Sequence, residues 1–481
     1  MSIIGDRWRL ISSATAEILP AVPPGFAAVL APIIALTPAF PANVIWLKLV
    51  SVAAVFGMAI AYWIDLTRHR GLSIAYATLL TTVTLLTPSL VFLATSTVMS
   101  DCVFAFMQVV AVVLVERVGR RDRDDVMSPA VAGLAAGGAM LIRTAGAAAV
   151  AAAIIYLLLL TRWRQAMVFA TVVVACLLPW WLYARAHAPT DAERMAHAGT
   201  IAYSYQQLLT MDRLNDPSSG SSSLNAMARR VARNLTGMVT RDVGALLAPS
   251  LYRGPFESGE EAIAVGGRDG GSMGGAPQTM AISALLTAVV IAGGVVATSR
   301  ELSMPLLLSV MTLVIIAPVG GPTFRYLVPL APYIVWFAWH GLRRPAVARV
   351  VLSSLLGLQL MDHASYIGQK LDASTDWLVD ARENDELFGW MSTNLHGPGA
   401  VAATNPGLAY LRTGRRAVAS VAPMDNWDRW KSLGVRYVAA SMTLGLPPES
   451  LGWRLLFRTP ERGLWVIEIS TVEPTKTVSA H

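Results

Sequence analysis

The sequence predicts an α-helical polytopic membrane protein with about 10–11 transmembrane helices and a small C-terminal α/β extracytoplasmic domain. Three observations carry this. Of the 481 residues, 54% are apolar and only 14% charged, against roughly 25% charged in an ordinary soluble domain. Apolar runs near the ~20 residues that cross a bilayer as helix recur along most of the chain. Their connecting loops alternate in charge. Arg68/Arg70, Arg117/Arg120/Arg121/Arg123, Arg162/Arg164, Arg300 and Arg343/Arg344 fall on one side, which the positive-inside pattern makes cytoplasmic.

The elements follow in order. Residues 1–43 form an N-terminal outer-loop or re-entrant segment. Ile18–Phe40 is apolar but interrupted by Pro20, Pro23, Pro24, Pro32 and Pro38, so a spanning helix and a surface hairpin both fit. Transmembrane helices fill 44–184. Val44–Ile64 runs inward, Leu72–Leu93 returns with Pro88 near its outer end, and Cys102–Val115 goes in again. Pro129–Ile142 is rich in Gly and Ala, which predicts close helix contacts. Ala147–Leu160 and Met167–Tyr183 complete this set.

Residues 185–278 are polar and read as an extracytoplasmic loop. Asp191–Leu214 and Leu224–Leu247 have helical patterning, with the break Asp216-Pro-Ser-Ser-Gly between them. Gly266–Gly275 reads as a flexible loop rather than a phosphate cradle, having no strand before it. More spans occupy 279–361: Met280–Ala297, Met304–Val319, Tyr326–Trp339 and Val347–Leu360. Residues 362–481 read as the extracytoplasmic α/β domain. Asn384–Leu395 is an amphipathic helix there, and Ala400–Ala403, Val435–Ala439 and Gly463–Ile469 are strands.

Composition excludes several functions. The net charge of +7 is mostly the orienting arginines, so no nucleic-acid partner is implied. Cys102 and Cys176 have neither metal-ligand spacing nor disulfide logic. No cleavable signal is seen. Walker, dinucleotide-binding, paired-histidine and GxSxG motifs are absent.

The remaining candidates are charges at outward span ends, outside any basic cluster. Asp101 follows Ser96, Thr97 and Ser100 and opens a helix. It is either a helix N-terminal acid favoured by the dipole, with Ser100 as cap, or a carboxylate beside an outer cavity. Arg143 and Arg325 are either interfacial anchors or forks for a phosphate. Two arginines and an acid on one face suggest an anionic, lipid-linked substrate.

Several segments, in order, resemble the GT-C superfamily of membrane glycosyltransferases, in its bacterial protein-mannosyltransferase and aminoarabinose-transferase-like branch. They are Pro23-Pro-Gly-Phe26, the Ser96–Asp101 turn, Gly133–Arg143 ending Leu-Ile-Arg-Thr, and Phe324-Arg-Tyr-Leu-Val-Pro-Leu-Ala-Pro-Tyr333. Asn384–Leu395, Ala400–Pro406, Leu411–Arg416 and Leu433–Tyr437 continue the match in the tail.

The resemblance implies transfer of a sugar, hexosyl or pentosyl, from a polyprenyl-phosphate carrier to a lipid, glycan or protein acceptor. The reaction would take place at the outer face, with inversion. An acid in the first outer loop acts on the acceptor hydroxyl, and arginines stabilise the departing phosphate. The matching residues are Asp6 and Asp101 as catalytic acids and Arg143, Arg325 and Tyr326 at the substrate. No nucleotide is needed, and a divalent metal stays open. The setting would be a bacterial inner membrane. The family places a complete helix before its acid, and none precedes Gly5-Asp-Arg-Trp8. Either the chain starts late or Asp6 is unrelated to the family's acid and the fold is decayed. The rival readings are a non-catalytic scaffold of the same fold and a lipid-linked-sugar transporter. A transporter should show buried mid-membrane charges and inverted repeats, and neither is evident.

Overall fold

A computed structural model describes residues 23–38, 40–120, 124–187, 210, 221–247, 277–299, 302–319, 324–372, 376–396, 399–404, 406–419, 427–432, 434–442 and 445–469. Asp6, Arg300 and the helix expected at Asp191–Leu214, apart from Thr210, lie outside them.

The proline-rich start contains a short helix, α1 (Gly25–Leu36). α2 (Val44–Ile64) follows, extended by a π-helical turn, Asp65–His69. The next span is broken. α3 (Ile74–Leu85) and α4 (Pro88–Thr95) meet at 59°, because Pro88 has no N–H to continue the ladder and disfavours helix at Thr87. α5 is Asp101–Arg120, α6 Met127–Ile142, α7 Ala147–Leu159 and α8 Trp163–Ala186. In the polar region, α9 (Leu224–Gly237), a π-helical turn (Met238–Asp242) and α10 (Val243–Leu247) form one helical piece. Then come α11 (Pro277–Thr298), α12 (Met304–Ile316) and the interrupted pair α13 (Phe324–Leu327) and α14 (Ala331–Gly341), joined by a 3-10 turn. α15 (Pro345–Leu371) is the last apolar helix.

Among the described residues, five helices are long and apolar enough to cross a membrane, and the α3–α4 pair makes a sixth. α1, α6, α7 and α12 are shorter apolar helices, and the α13–α14 pair completes the expected set. Side chains on the outward faces are apolar and exposed, among them Phe56, Ile60, Leu134, Val174, Leu285 and Val350. That is the surface lipid covers.

Close approach is built into α6, as its small residues predict. A Cβ on Gly133 would stand 2.9 Å from the Phe169 carbonyl oxygen, and one on Gly137 2.9 Å from the Cys176 Cβ. Larger residues there would push α6 off α8. Gly25 at the start of α1 abuts the end of α6, where a Cβ on it would stand 2.6 Å from the Leu141 carbonyl oxygen. The proline-rich segment is thereby docked beside Arg143.

The C-terminal domain begins with α16 (Asp376–Asn394). It continues with β1 (Ala400–Ala403), α17 (Pro406–Thr413), β2 (Ala417–Ala419), α18 (Trp427–Ser432), β3 (Val435–Ala440), β4 (Trp453–Arg458) and β5 (Trp465–Ile469). The sheet order is β2-β1-β3-β5-β4. β1 is parallel to β2 and β3, while β5 is antiparallel to β3 and β4. Period-two alternation sorts the strands onto two cores. Ala400, Ala402, Val438 and Ile467 face Trp427 and Trp430 of α18. Val401, Ala403, Tyr437 and Val466 face Leu387, Phe388 and Met391 of α16. Three strands match the sequence reading. β2 and β4 are the edge strands, and they escaped it because β2 has only three residues and β4 has none buried.

Candidate active site

Asp101 is the first residue of α5, where the helix dipole favours a carboxylate. It is only 1% exposed, which requires partners for its charge. They are the two arginines the sequence singles out. α6 ends at Ile142, and Arg143 adopts an extended backbone. From there its Nη1 donates to Oδ1 of Asp101. Arg325, on the short helix α13, donates from Nε to both carboxylate oxygens at 3.0 Å and from Nη2 to Oδ2. The Arg143 guanidinium also lies 5.1 Å from the centre of the Tyr326 ring and 6.0 Å from that of Phe104, within cation–π range.

Residues far apart in sequence thus converge. Asp101, Arg143, Arg325 and Tyr326 form one cluster at one end of the bundle. Its exposure is graded: Asp101 is sealed, Arg143 is 13% exposed and Arg325 30% exposed. One carboxylate faces two guanidiniums, so the cluster carries a surplus positive charge toward its open side. Such a site suits an anion with several acceptor oxygens.

The broken helix α13–α14 is what lets Arg325 reach Asp101. Pro329 and Pro332 interrupt the backbone ladder there, and carbonyls at the break take partners from outside it. Neighbouring helices supply them. Gln108 of α5, 2% exposed, donates from Nε2 to the Pro329 carbonyl at 3.2 Å. Tyr62 of α2 donates to the Pro332 carbonyl at 2.7 Å.

A third polar layer lies at the far end of α5. Fifteen residues on from Asp101, about 22 Å along the helix, Glu116 accepts from Arg70 Nη2 at 2.7 Å. Arg70 Nε donates to Asp65 at 2.6 Å, and its guanidinium lies 5.0 Å from the Trp336 ring centre. Sequence reasoning treated Arg70 as an orienting charge. It is instead half-buried between two carboxylates. These charges sit at helix ends, not at mid-membrane.

The last span closes the back of the site. Gln359, His363 and Tyr366 share one face of α15. Gln359 Nε2 donates to the Leu247 carbonyl, His363 Nε2 to the Leu86 carbonyl freed at the Pro88 break, and Tyr366 pairs with Ser96, each at 2.9 Å. Asp362, which the sequence reading places at the start of the outer domain, is a buried residue within α15. Isolated polar residues inside apolar runs, such as Gln108 and Gln359, do not by themselves say which group they meet.

Among the described residues, no three His, Cys, Asp or Glu side chains group as a metal site.

No protein-family model matches the sequence, and no curated protein matches it. Solved structures do. ArnT from Cupriavidus metallidurans, solved bound to undecaprenyl phosphate, is 12% identical, with a TM-score of 0.55 over 97% of this chain and 94% of that one. The chain shares the fold of that membrane protein. The archaeal oligosaccharyltransferase AglB from Archaeoglobus fulgidus, in complex with an inhibitory peptide and a dolichol-phosphate, is 14% identical. It gives a TM-score of 0.46 over 90% of this chain and 63% of its own.

Proposed function

We propose that this protein is a glycosyltransferase that moves a sugar from a polyprenyl-phosphate carrier to an acceptor at the outer face of a bacterial inner membrane. The observation that carries this is the Asp101–Arg143–Arg325 cluster with its surplus positive charge. It stands in a fold shared with a protein solved bound to undecaprenyl phosphate. The C-terminal domain lies at the same end as this cluster. Arg412 of α17 reaches to 5.4 Å from the Phe40 ring centre, beside the start of α2.

The chemistry follows from the charges. An acceptor hydroxyl attacks the anomeric carbon from the side opposite the phosphate. The bond from that carbon to the phosphate oxygen breaks, inverting the centre, and negative charge builds on the phosphate. Arg325 and Arg143 stabilise that charge through donors already in place. Three guanidinium donors occupy both oxygens of Asp101. Asp101 therefore holds the arginines in position rather than taking the acceptor's proton. That proton goes to a separate base, for which Asp6 remains the sequence candidate. Tyr326 flanks Arg143 and shapes the phosphate pocket. Donor and acceptor are a polyprenyl-phosphate hexose or pentose and a lipid, glycan or protein hydroxyl.

The test is transfer by the purified protein from a panel of polyprenyl-phosphate sugars. Transfer should occur with one or more donors and fall to background with Arg325→Ala. Donor binding without transfer, under any acceptor, would place the protein among non-catalytic relatives of the fold. Donor translocation without transfer would make it a transporter.

A further inference from the structure

The end of the bundle opposite Asp101 carries a cavity of about 250 Å³ lined by Asp124, Thr161, Arg162, Trp163, Arg164 and Gln165. It is just under the roughly 300–1,000 Å³ of pockets that enclose drug-sized ligands, and it suits a small polar headgroup. Its walls are built rather than incidental. Gln165 is buried and accepts from Arg162 Nη1 at 3.1 Å, while its own amide donates to the Asp125 carbonyl at 3.4 Å. Arg162 is thereby steadied at the mouth. The Arg164 guanidinium stands 5.4 Å from the Trp163 ring centre, so an indole and a cation share the rim. Asp125 is engaged in capping α6, accepting from the N–H groups of Met127 and Ser128. The lining therefore sums to two guanidiniums against the one carboxylate of Asp124.

The surroundings identify the kind of ligand. Val126, Met127, Leu158, Leu159, Trp163 and Met167 border the cavity in sequence and are all exposed. In a membrane protein that belt faces acyl chains, and an indole at its edge sits at headgroup level. A soluble anion would use the arginines and ignore the belt, whereas a lipid uses both. Basic pockets between helices at this level bind anionic headgroups. A lone carboxylate beside two arginines disfavours a second negative charge and favours a headgroup that can donate a hydrogen bond.

We propose that this cavity binds a monoanionic, hydroxyl-bearing glycerophospholipid of the phosphatidylglycerol class. Its phosphodiester sits between Arg162 and Arg164, its glycerol hydroxyls face Asp124, and its chains lie along Leu158, Leu159 and Met167. The site is separate from the one proposed for the sugar donor, and no step of the transfer reaction enters the argument.

The experiment is native mass spectrometry of the full-length protein with equal amounts of phosphatidylglycerol, phosphatidylethanolamine and phosphatidylcholine, read as lipid retained. A parallel thermal unfolding series uses each lipid. Phosphatidylglycerol should be retained preferentially and should raise the unfolding temperature most. The R162Q/R164Q double variant should reduce that retention roughly thirtyfold, each basic side chain near an anionic headgroup contributing about fivefold. The control is R343Q/R344Q, which removes the same charge from the same end but outside the cavity, and it should change retention little. An equal loss in both double variants would reduce the effect to general surface charge and overturn the site. So would equal retention of all three lipids by the wild-type protein, a result that does not depend on any variant folding.

Discussion

Replacing Asp101 separates a clamp from a proton acceptor. The structure shows three guanidinium donors on this carboxylate: Arg143 Nη1, Arg325 Nε and Arg325 Nη2. A hydrogen bond to a charged group contributes roughly 1.5–3 kcal/mol, and removing one partner of a buried ion pair costs about 3–5 kcal/mol. Arg325 keeps 30% of its side-chain exposure, so water recovers part of the loss on that side. Asp101→Ala should therefore destabilise the protein by about 3 kcal/mol. In a double-mutant cycle with Arg325→Ala, the coupling should be about 2 kcal/mol, because the second removal relieves a stranded charge. The assay is chemical unfolding of the four proteins in one detergent, paired with transfer rates. Transfer should be non-additive too, since either single change already disorders the phosphate site. Additive losses within about 0.5 kcal/mol, in stability and in rate, would mean that Asp101 and Arg325 act independently. The clamp reading would then be wrong and a direct proton-transfer role for Asp101 would regain its place.

Arg325→Ala should lower transfer by roughly 10²–10³, the cost of one lost contact to developing charge, while Arg300→Ala, at the opposite end by alternation, should leave it near wild type. Equal losses in matched membranes would make Arg325 an interfacial anchor. Gln108→Leu should destabilise by about 1–3 kcal/mol, since it strands the Pro329 carbonyl. It should also lower transfer by shifting α13, and Gln108→Glu should not restore either. Single cysteines at positions 121 and 426 should label with impermeant reagent from opposite sides, with 426 labelled from outside. In the C-terminal domain, burial opposes the charged form of Glu383. Hydrogen bonds from Thr459 and the Arg462 and Glu461 N–H groups, with the charge of Arg382, outweigh it and hold this carboxyl below its usual value of about 4.5. The folded state thus favours the carboxylate. Its contribution is present above about pH 4.5 and fades as pH falls through the lower folded value, and Glu383→Gln should flatten that acid limb in unfolding curves.

Span boundaries were the most legible part of the chain. Val44–Ile64 coincides with α2 and Ala400–Ala403 with β1, because lipid and sheet each impose one strong hydropathy rule. That Asp101, Arg143 and Arg325 share one end of the bundle was legible too, since a charge at a span end without basic neighbours breaks the orienting pattern. What was not legible was pairing. Asp101 lies 224 residues from Arg325, and nothing in local pattern fixes which charge meets which. Arg70 shows the reverse failure. It sits among orienting arginines and looks like one of them, yet it joins Asp65 to Glu116. Gln108 and Gln359 carry no sequence signal of their own. Their roles appear only once proline breaks and helix ends leave carbonyls for them to meet.

These polar contacts also explain how a site at one end can be held firmly by apolar helices. Dispersion between helices in lipid fixes their faces but leaves axial sliding cheap, because the surrounding chains are as apolar as the contact. Directional bonds between α5 and the α13–α14 pair remove that freedom. Asp101 meets Arg325 at one end. Gln108 meets the Pro329 carbonyl in the middle. At the far end, Arg70 ties Glu116 of α5 to the π-helical turn after α2 and stacks on Trp336 of α14. A slide of one turn, about 5.4 Å, would break all three contacts together and strand buried charge at both ends. The proline breaks in α13–α14, costly in isolation, are thus the feature that gives these helices a single register. That register carries the guanidinium of Arg325 to the mouth of the cluster, where a phosphate would complete its charge.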